Sequence, residues 1–83
     1  MIMLRLERTS FACPEQYDVF DENDNQVGYL RLRHGNFRVD YPNCGGKVIY
    51  DAHPNGDGIF EEDEREHYLD MAKLAIQNEL DQV

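Results

Sequence analysis

The sequence predicts an α+β domain, in which an antiparallel meander of four or five strands is covered on one face by a single C-terminal helix. Residues 2–51 hold short runs of alternating apolar and polar side chains separated by turn residues, as strands buried on one face do. Residues from about 60 to 81 instead repeat apolar side chains at three- and four-residue spacing, the period of an amphipathic helix. Strands followed by one segregated helix form two layers, so we expect one domain over residues 1–83.

Five runs of the chain are typical of strands, and polar turns separate them. They are Ile2–Arg8, Tyr17–Phe20, Val27–Arg33, Phe37–Tyr41 and Lys47–Tyr50. Residues 9–15 are predicted to connect the first two, and residues 52–59 form a turn or loop before the helix. The Asp and Asn residues of 21–26 and the His-Gly-Asn of 34–36 tolerate the backbone geometry of tight turns, which favours hairpins.

Alternation along each strand assigns its side chains to two faces of the sheet. The face toward the helix receives Leu4, Leu6, Tyr17, Val19, Leu30, Leu32, Phe37, Val39, Tyr41, Val48 and Tyr50. The opposite face receives Arg5, Asp18, Phe20, Tyr29, Arg31, Arg33, Arg38 and Asp40. The helix contributes an apolar stripe of Tyr68, Leu69, Ala72, Ala75, Ile76 and Leu80. The two small alanines of that stripe predict a helix lying close to the sheet.

Charge is unevenly distributed along the chain. The 83 residues contain 8 Lys and Arg against 17 Asp and Glu, a formal charge of −9. Residues 1–50 hold six basic and seven acidic side chains, whereas residues 51–83 hold two basic and ten acidic. A field of that sign repels nucleic acid and anionic membranes, and it attracts metal cations and basic protein surfaces.

The loop that precedes the helix resembles the calcium-binding loop of EF-hand proteins over residues 53–64. Oxygen ligands alternate there, a glycine occupies the sixth position and an acid the twelfth. The resemblance implies metal ligands among His53, Asn55, Asp57, Glu61 and Glu64, although His53 stands where the family has Asp and a strand precedes the loop. In the alternative interpretation these are turn residues, and Glu61 to Glu64 are first-turn acids favoured by the helix dipole.

Acidic side chains lie opposite the apolar stripe of the helix. We predict that Glu62, Asp63, Glu66 and Asp70 bind a basic surface of another protein, for instance one that binds nucleic acid, although a solvated helix face would have the same pattern. One compensating pair, Glu61 with Arg65, has the four-residue spacing of helical ion pairs.

Arginines on the uncovered face of the sheet form a second candidate surface. Arg31, Arg33 and Arg38, with Tyr29 nearby, could bind a phosphate or nucleotide, because guanidinium forks match oxyanions and an aromatic ring can stack on a base. The alternative is pairing of these arginines with Asp18 and Asp40 across the sheet.

No pattern for catalysis or zinc binding is present, so we expect a protein that is not an enzyme and needs no cofactor unless the loop binds Ca²⁺. Cys13 and Cys44 lack ligand spacing and are expected to be reduced, although spacing leaves a disulfide open. Arg5 and Glu7 interrupt the apolar N-terminal segment, which indicates a cytoplasmic protein without a signal peptide or membrane span.

In size, acidity and lack of catalytic motifs the chain resembles small accessory proteins of phages and prophages, including anti-CRISPR-like inhibitors, and this resemblance implies blocking of a basic host protein.

Overall fold

A computed structural model describes residues 3–10 and 14–82. Five strands precede one helix in the order β1 (Arg5–Ser10), β2 (Glu15–Phe20), β3 (Gln26–Arg33), β4 (Asn36–Tyr41), β5 (Lys47–Ala52) and α1 (Glu62–Asp81). The strands form one antiparallel sheet in the order β1-β2-β3-β4-β5, so each strand pairs with its neighbours in sequence. The helix packs on one face of this sheet. The predicted α+β fold, with five strands in the meander, is confirmed.

The structured elements differ from the prediction mainly at their ends. β1 begins at Arg5 and continues to Ser10, and β2 begins at Glu15, so both strands enter the predicted connection. Ile2, predicted to begin the first strand, lies outside the described residues. β5 extends to Ala52, and α1 begins at Glu62, two residues later than expected.

Both inner turns are built by their polar and glycine residues. In the β2–β3 turn the Asp21 carboxylate accepts hydrogen bonds from the backbone N–H groups of Asn23 and Asn25, each at 2.9 Å, and Asp24 has a φ of 64°. His34 and Gly35 form the two-residue β3–β4 turn with φ values of 53° and 74°. Positive φ at both central positions matches the twist of the strands, which keeps the β3–β4 register tight.

The core lies between the sheet and the helix. Its members are at most 7% exposed: Tyr17, Val19, Val27, Leu30, Leu32, Phe37, Val39, Phe60, Ala72 and Ile76. Leu4, Leu6, Tyr41, Tyr50, Tyr68, Leu69 and Leu80 pack around them. Most side chains predicted to face this interface therefore do so, Val27 and Phe60 join them in the core, and Ala72 at the centre of the helix stripe is fully buried.

The helix approaches the sheet closely at Gly28 in β3. A Cβ atom at this position would overlap the side chain of Ile76, which is itself fully buried. A side chain at position 28 would push the helix away from β3.

Val48 departs from the predicted face. It was expected beneath the helix, but it is 51% exposed. A β-bulge between Val39 and Asp40 shifts the pairing, so that Tyr50 lies opposite Val39 while Val48 lies opposite Asp40. The extra residue places Val48 on the uncovered face, because one inserted position reverses the alternation.

Residues 53–61 close one end of the sheet before the helix begins. The Glu15 N–H donates to the Gly58 carbonyl at 2.7 Å, and the Gly35 N–H donates to the Asp57 carbonyl at 2.6 Å. The ring of Phe60 packs against those of Phe37 and Tyr68, with centroid distances of 5.0 and 5.6 Å, and these two rings also contact each other at 6.1 Å. The loop therefore completes the core at the end of the sheet that holds the β3–β4 turn.

Candidate functional site

The four acids predicted to bind a partner are all exposed on α1. The side chains of Glu62 and Asp70 are 91% and 62% accessible. Glu62, Glu66 and Asp70 line one side of a surface groove between β1 and α1, whereas Asp63 lies outside its lining. Three of the four predicted residues are thus brought together, two helical turns apart from first to last.

This groove, hereafter the β1–α1 groove, has a volume of about 460 Å³. Its lining consists of Leu4, Leu6, Glu62, Arg65, Glu66, Leu69, Asp70 and Lys73. Its three leucines are partly buried against the core. Apolar and acidic side chains thus occur side by side, which suits a ligand that is itself both apolar and basic.

The arginine in this groove is bound to the sheet. Arg65 Nε donates to Glu15 Oε2 at 2.9 Å, and its Nη2 donates to Glu15 Oε1 at 3.3 Å and to the Phe60 carbonyl at 3.3 Å. It also pairs with Glu62 at 2.5 Å. The predicted Glu61–Arg65 pair was therefore wrong: two nitrogens of the Arg65 guanidinium bind the carboxylate of Glu15 on β2, and on the helix Arg65 pairs with Glu62 instead of Glu61.

Glu15 is the centre of this buried network. Its carboxylate is fully buried and also accepts hydrogen bonds from the Tyr17 hydroxyl and, at 3.0 Å, from the Phe60 N–H. Burial by itself would raise the pKa of Glu15, but the hydrogen bonds from Arg65, Tyr17 and Phe60 outweigh it and lower the pKa below its ordinary value. Burial and the bond to Glu15 raise the pKa of Tyr17 to about 12. These groups stabilise the fold in their ordinary charge states.

Sequence reasoning missed Glu15, which had been placed in a connection. A signal was present, because Glu15 continues the alternation of Tyr17 and Val19 toward the helix. An acid in register with buried apolar side chains requires a cation from elsewhere in the chain. The residue that supplies it, Arg65, is 50 positions away, so no local pattern connects the two.

Glu64, the closing acid of the EF-hand-like loop, is hydrogen-bonded to the backbone of that loop. Its carboxylate accepts hydrogen bonds from the N–H groups of Asn55 at 2.8 Å, Gly56 at 2.7 Å and Glu61 at 3.0 Å. Although burial acts to raise it, these three bonds lower the pKa of Glu64. The carboxylate thereby folds the loop and caps α1 at the same time.

The remaining candidate ligands, His53, Asp57 and Glu61, are exposed. Within residues 3–10 and 14–82, no group of three or more His, Cys, Asp or Glu side chains is arranged to hold a metal ion. The turn interpretation accounts for the contacts of this loop, and calcium binding stays a prediction without structural support.

The arginines of the uncovered face lie around the β3–β4 turn. Arg31 and Arg38 are cross-strand partners, and Arg33 pairs with Asn36. These four side chains and His34 line a cavity of about 320 Å³, hereafter the arginine cavity. Tyr29 is one row away, opposite Asp18 and Asp40, and does not line it. Sequence reasoning thus identified the three arginines but missed the turn residue His34 and its neighbour Asn36.

Comparison with known proteins adds no identification: no protein-family model, no curated protein and no solved structure matches the chain. Cys44 is exposed with a free thiol, and Cys13 lies outside the described residues. In the part of the chain that the structure describes, no helix is long and apolar enough to cross a membrane.

Proposed function

We propose that this protein is a non-enzymatic interaction module, whose β1–α1 groove binds a basic amphipathic segment of another protein. The observation that carries the proposal is the combination of three leucines and three exposed carboxylates in one groove. Leu4, Leu6 and Leu69 offer apolar contact, while Glu62, Glu66 and Asp70 offer charge. A lysine- or arginine-rich segment with one apolar face matches both.

The charges of the groove favour a cationic ligand, because its two basic residues already have acidic partners. Arg65 is bound to the buried Glu15 and also pairs with Glu62, and Lys73 Nζ lies 3.6 Å from Asp70, so the groove retains an excess of one negative charge. Glu66 has no ion pair within the described residues and remains available. Around the groove, the ten acids against two bases of residues 51–83 provide the long-range field that draws in a basic partner.

The consequence for the partner depends on which of its surfaces is bound. When the basic segment belongs to a nucleic-acid-binding site, occupation by this module would exclude the nucleic acid. The module would then be an inhibitor, as the anti-CRISPR-like proteins that the chain resembles in kind are. The acidic helix itself would not bind nucleic acid, since like charges repel.

The test compares partner capture by three forms of the protein, in the presence of excess competitor nucleic acid. In the first variant Glu66→Lys and Asp70→Lys reverse two charges of the groove. In the control Glu22→Lys and Asp81→Lys reverse two exposed acids outside it, so the net charge changes equally. We expect the control to retain a partner that the groove variant loses, and we expect wild-type association to slow as salt rises above physiological strength, where screening acts over about 8 Å.

Equal capture by the groove variant and the wild type would overturn the proposal. Equal loss in both variants would also overturn it, because only the overall charge would then matter. Circular dichroism spectra of the variants should match the wild type, since all four positions are exposed.

A further inference from the structure

The arginine cavity lies on the sheet face opposite the helix and concentrates positive charge in an acidic protein. Its lining consists of Arg31, Arg33, His34, Asn36 and Arg38, and every one of these side chains carries a hydrogen-bond donor. No carboxylate is among them. The cavity is therefore a local basic site in a chain whose formal charge is −9.

The arrangement of Arg31 and Arg38 is unfavourable unless something negative lies between them. They face each other directly on neighbouring strands, where like charges destabilise a sheet. Arg38 has a counterion, because its Nε lies 3.0 Å from Asp40 Oδ1, but the two atoms are not aligned as a hydrogen bond. The opposed pair thus retains donors that the protein does not use.

Arg31 and Arg33 have no acidic partner within the described residues. The Nε of Arg31 is buried and makes no hydrogen bond there, whereas the Nε of Arg33 donates to His34 at 3.2 Å. Asp51 lies across from Arg38, on the strand beyond, and accepts a hydrogen bond from Asn36 at 2.6 Å. The guanidinium groups of Arg31 and Arg33 that line the cavity thus have no carboxylate among the described residues, and a ligand that accepts hydrogen bonds from their Nη atoms gains charge-assisted contacts.

We propose that the arginine cavity binds a compact phosphoryl oxyanion, held between the guanidinium groups of Arg31 and Arg38. Guanidinium forks match the paired oxygens of a phosphoryl group and bind it through two parallel hydrogen bonds each. The volume of about 320 Å³ lies at the lower end of small-ligand sites, which are about 300–1,000 Å³. The negative charge of the rest of the chain opposes a long polyanion but acts less on a small one.

The experiment titrates inorganic phosphate, pyrophosphate and ADP in separate arms into the full chain, in a low-salt buffer free of other oxyanions. Binding is followed by calorimetry and by the NMR signals of the arginine Nε–H groups. We expect saturable binding with shifts at Arg31 and Arg38, and a loss of affinity of about tenfold or more in Arg31→Gln and in Arg38→Gln. If phosphate, pyrophosphate and ADP bind with equal affinity per phosphoryl group, the site recognises the phosphoryl group itself. If ADP binds more tightly than pyrophosphate, the site recognises a nucleotide.

Arg5→Gln is the matched control. Arg5 is also an arginine on the uncovered face, but it already pairs with Glu7 and Asp24, each at 2.9 Å. Its replacement should leave phosphate affinity unchanged. A control that weakens binding as much as Arg31→Gln would overturn the proposal, as would the absence of saturable shifts at millimolar phosphate and pyrophosphate. A single-stranded oligonucleotide that binds the same arginines more tightly with increasing length would replace the proposal with nucleic-acid recognition.

Discussion

Arg65 in α1 lies on the helix side of the sheet, and the side chain of Arg31 in β3 lies on the open side. The two guanidinium groups differ in the hydrogen-bond and ion-pair partners that the protein gives them. On the covered side, Arg65 donates to the buried Glu15 carboxylate, to Glu62 and to the Phe60 carbonyl. On the open side, Arg31 faces another arginine and has a buried Nε without a partner among the described residues. The contacts of Arg65 stabilise the folded domain, whereas the position of Arg31 opposite Arg38 does not. The comparison therefore separates charges that stabilise the domain from charges left for a ligand.

Ala72→Glu is expected to have the largest effect, because it introduces on the covered side a charge without a partner. Ala72 is fully buried on the face of the helix that packs against the sheet, and an unpaired carboxylate there should cost several kcal/mol or unfold the domain. Leu74→Glu is the control, since Leu74 is 53% exposed on the same helix and its replacement should change stability by less than about 0.5 kcal/mol. Thermal and urea unfolding measure both. An unchanged melting temperature for Ala72→Glu would contradict the packing of the helix described above.

Glu15→Gln follows in size. It removes the charge that Arg65 meets on β2 and leaves a mostly buried cation with only the exposed Glu62 as counterion. We expect a loss of about 3 kcal/mol in the free energy of unfolding, as for other broken buried pairs. Glu62→Gln removes the other carboxylate of the same arginine and should cost about 0–1 kcal/mol, because that pair is solvated. Equal costs for the two variants would remove the distinction between the buried and exposed partners.

Low pH should lower the free energy of unfolding through the carboxylates of Glu15 and Glu64, which lie on the helix side of the sheet. The pKa values of Glu15 and Glu64 are lowered in the folded state, so unfolding takes up protons. The stability they contribute is therefore present above their ordinary pKa of 4.5 and lost as the pH falls through the folded values. Urea unfolding at a series of pH values should show this decline, with a flatter profile in Glu15→Gln and in Glu64→Gln. Profiles parallel to that of the wild type would contradict the assignment.

Arg31→Gln should have the smallest effect and the opposite sign. It removes one of two like charges that face each other, so the free protein should gain about 0.2–1 kcal/mol at low salt. Arg33→Gln is the control, because Arg33 lies opposite the neutral Asn36 and should show no such gain. The difference between the two should shrink at high salt, where screening is strong. A loss of more than about 1 kcal/mol on Arg31→Gln would make Arg31 a structural residue.

The assignment of residues to the covered and open faces of the sheet could largely be predicted from the periodicity of the sequence. Alternation placed Val19, Leu30 and Phe37 under the helix and the arginines on the other face, because the side-chain period of a strand is fixed at two. Helical spacing likewise identified Ala72 and Ile76, both fully buried. The strand faces and the helix stripe depend only on the spacing of nearby residues, which can be read directly from the sequence.

Features that depend on distant contacts or on a change of register were not accessible. The bulge that turns Val48 outward could not be derived from alternation, because Val48, Ile49 and Tyr50 form a continuous apolar run that does not reveal its register. The small size of Gly28 is required because Ile76 packs against it, and the buried charge of Glu15 is compensated by Arg65. Ile76 and Arg65 both lie on the helix, far along the chain from their partners. The arginine cavity was partly accessible, because its arginines share a strand face while His34 and Asn36 depend on the geometry of the turn.

The meander order also has a consequence for how the chain folds. Each strand pair joins neighbours in sequence through short connections, whereas the Glu15–Arg65 hydrogen bonds join residues 50 positions apart. Closing short loops costs less entropy, so we expect hairpins to populate the transition state before the helix docks on β2. Glu15→Gln should then accelerate unfolding and leave the folding rate nearly unchanged, giving a φ-value near zero in chevron measurements. The Glu15–Arg65 contact between sheet and helix would thus stabilise the native state chiefly by slowing its unfolding.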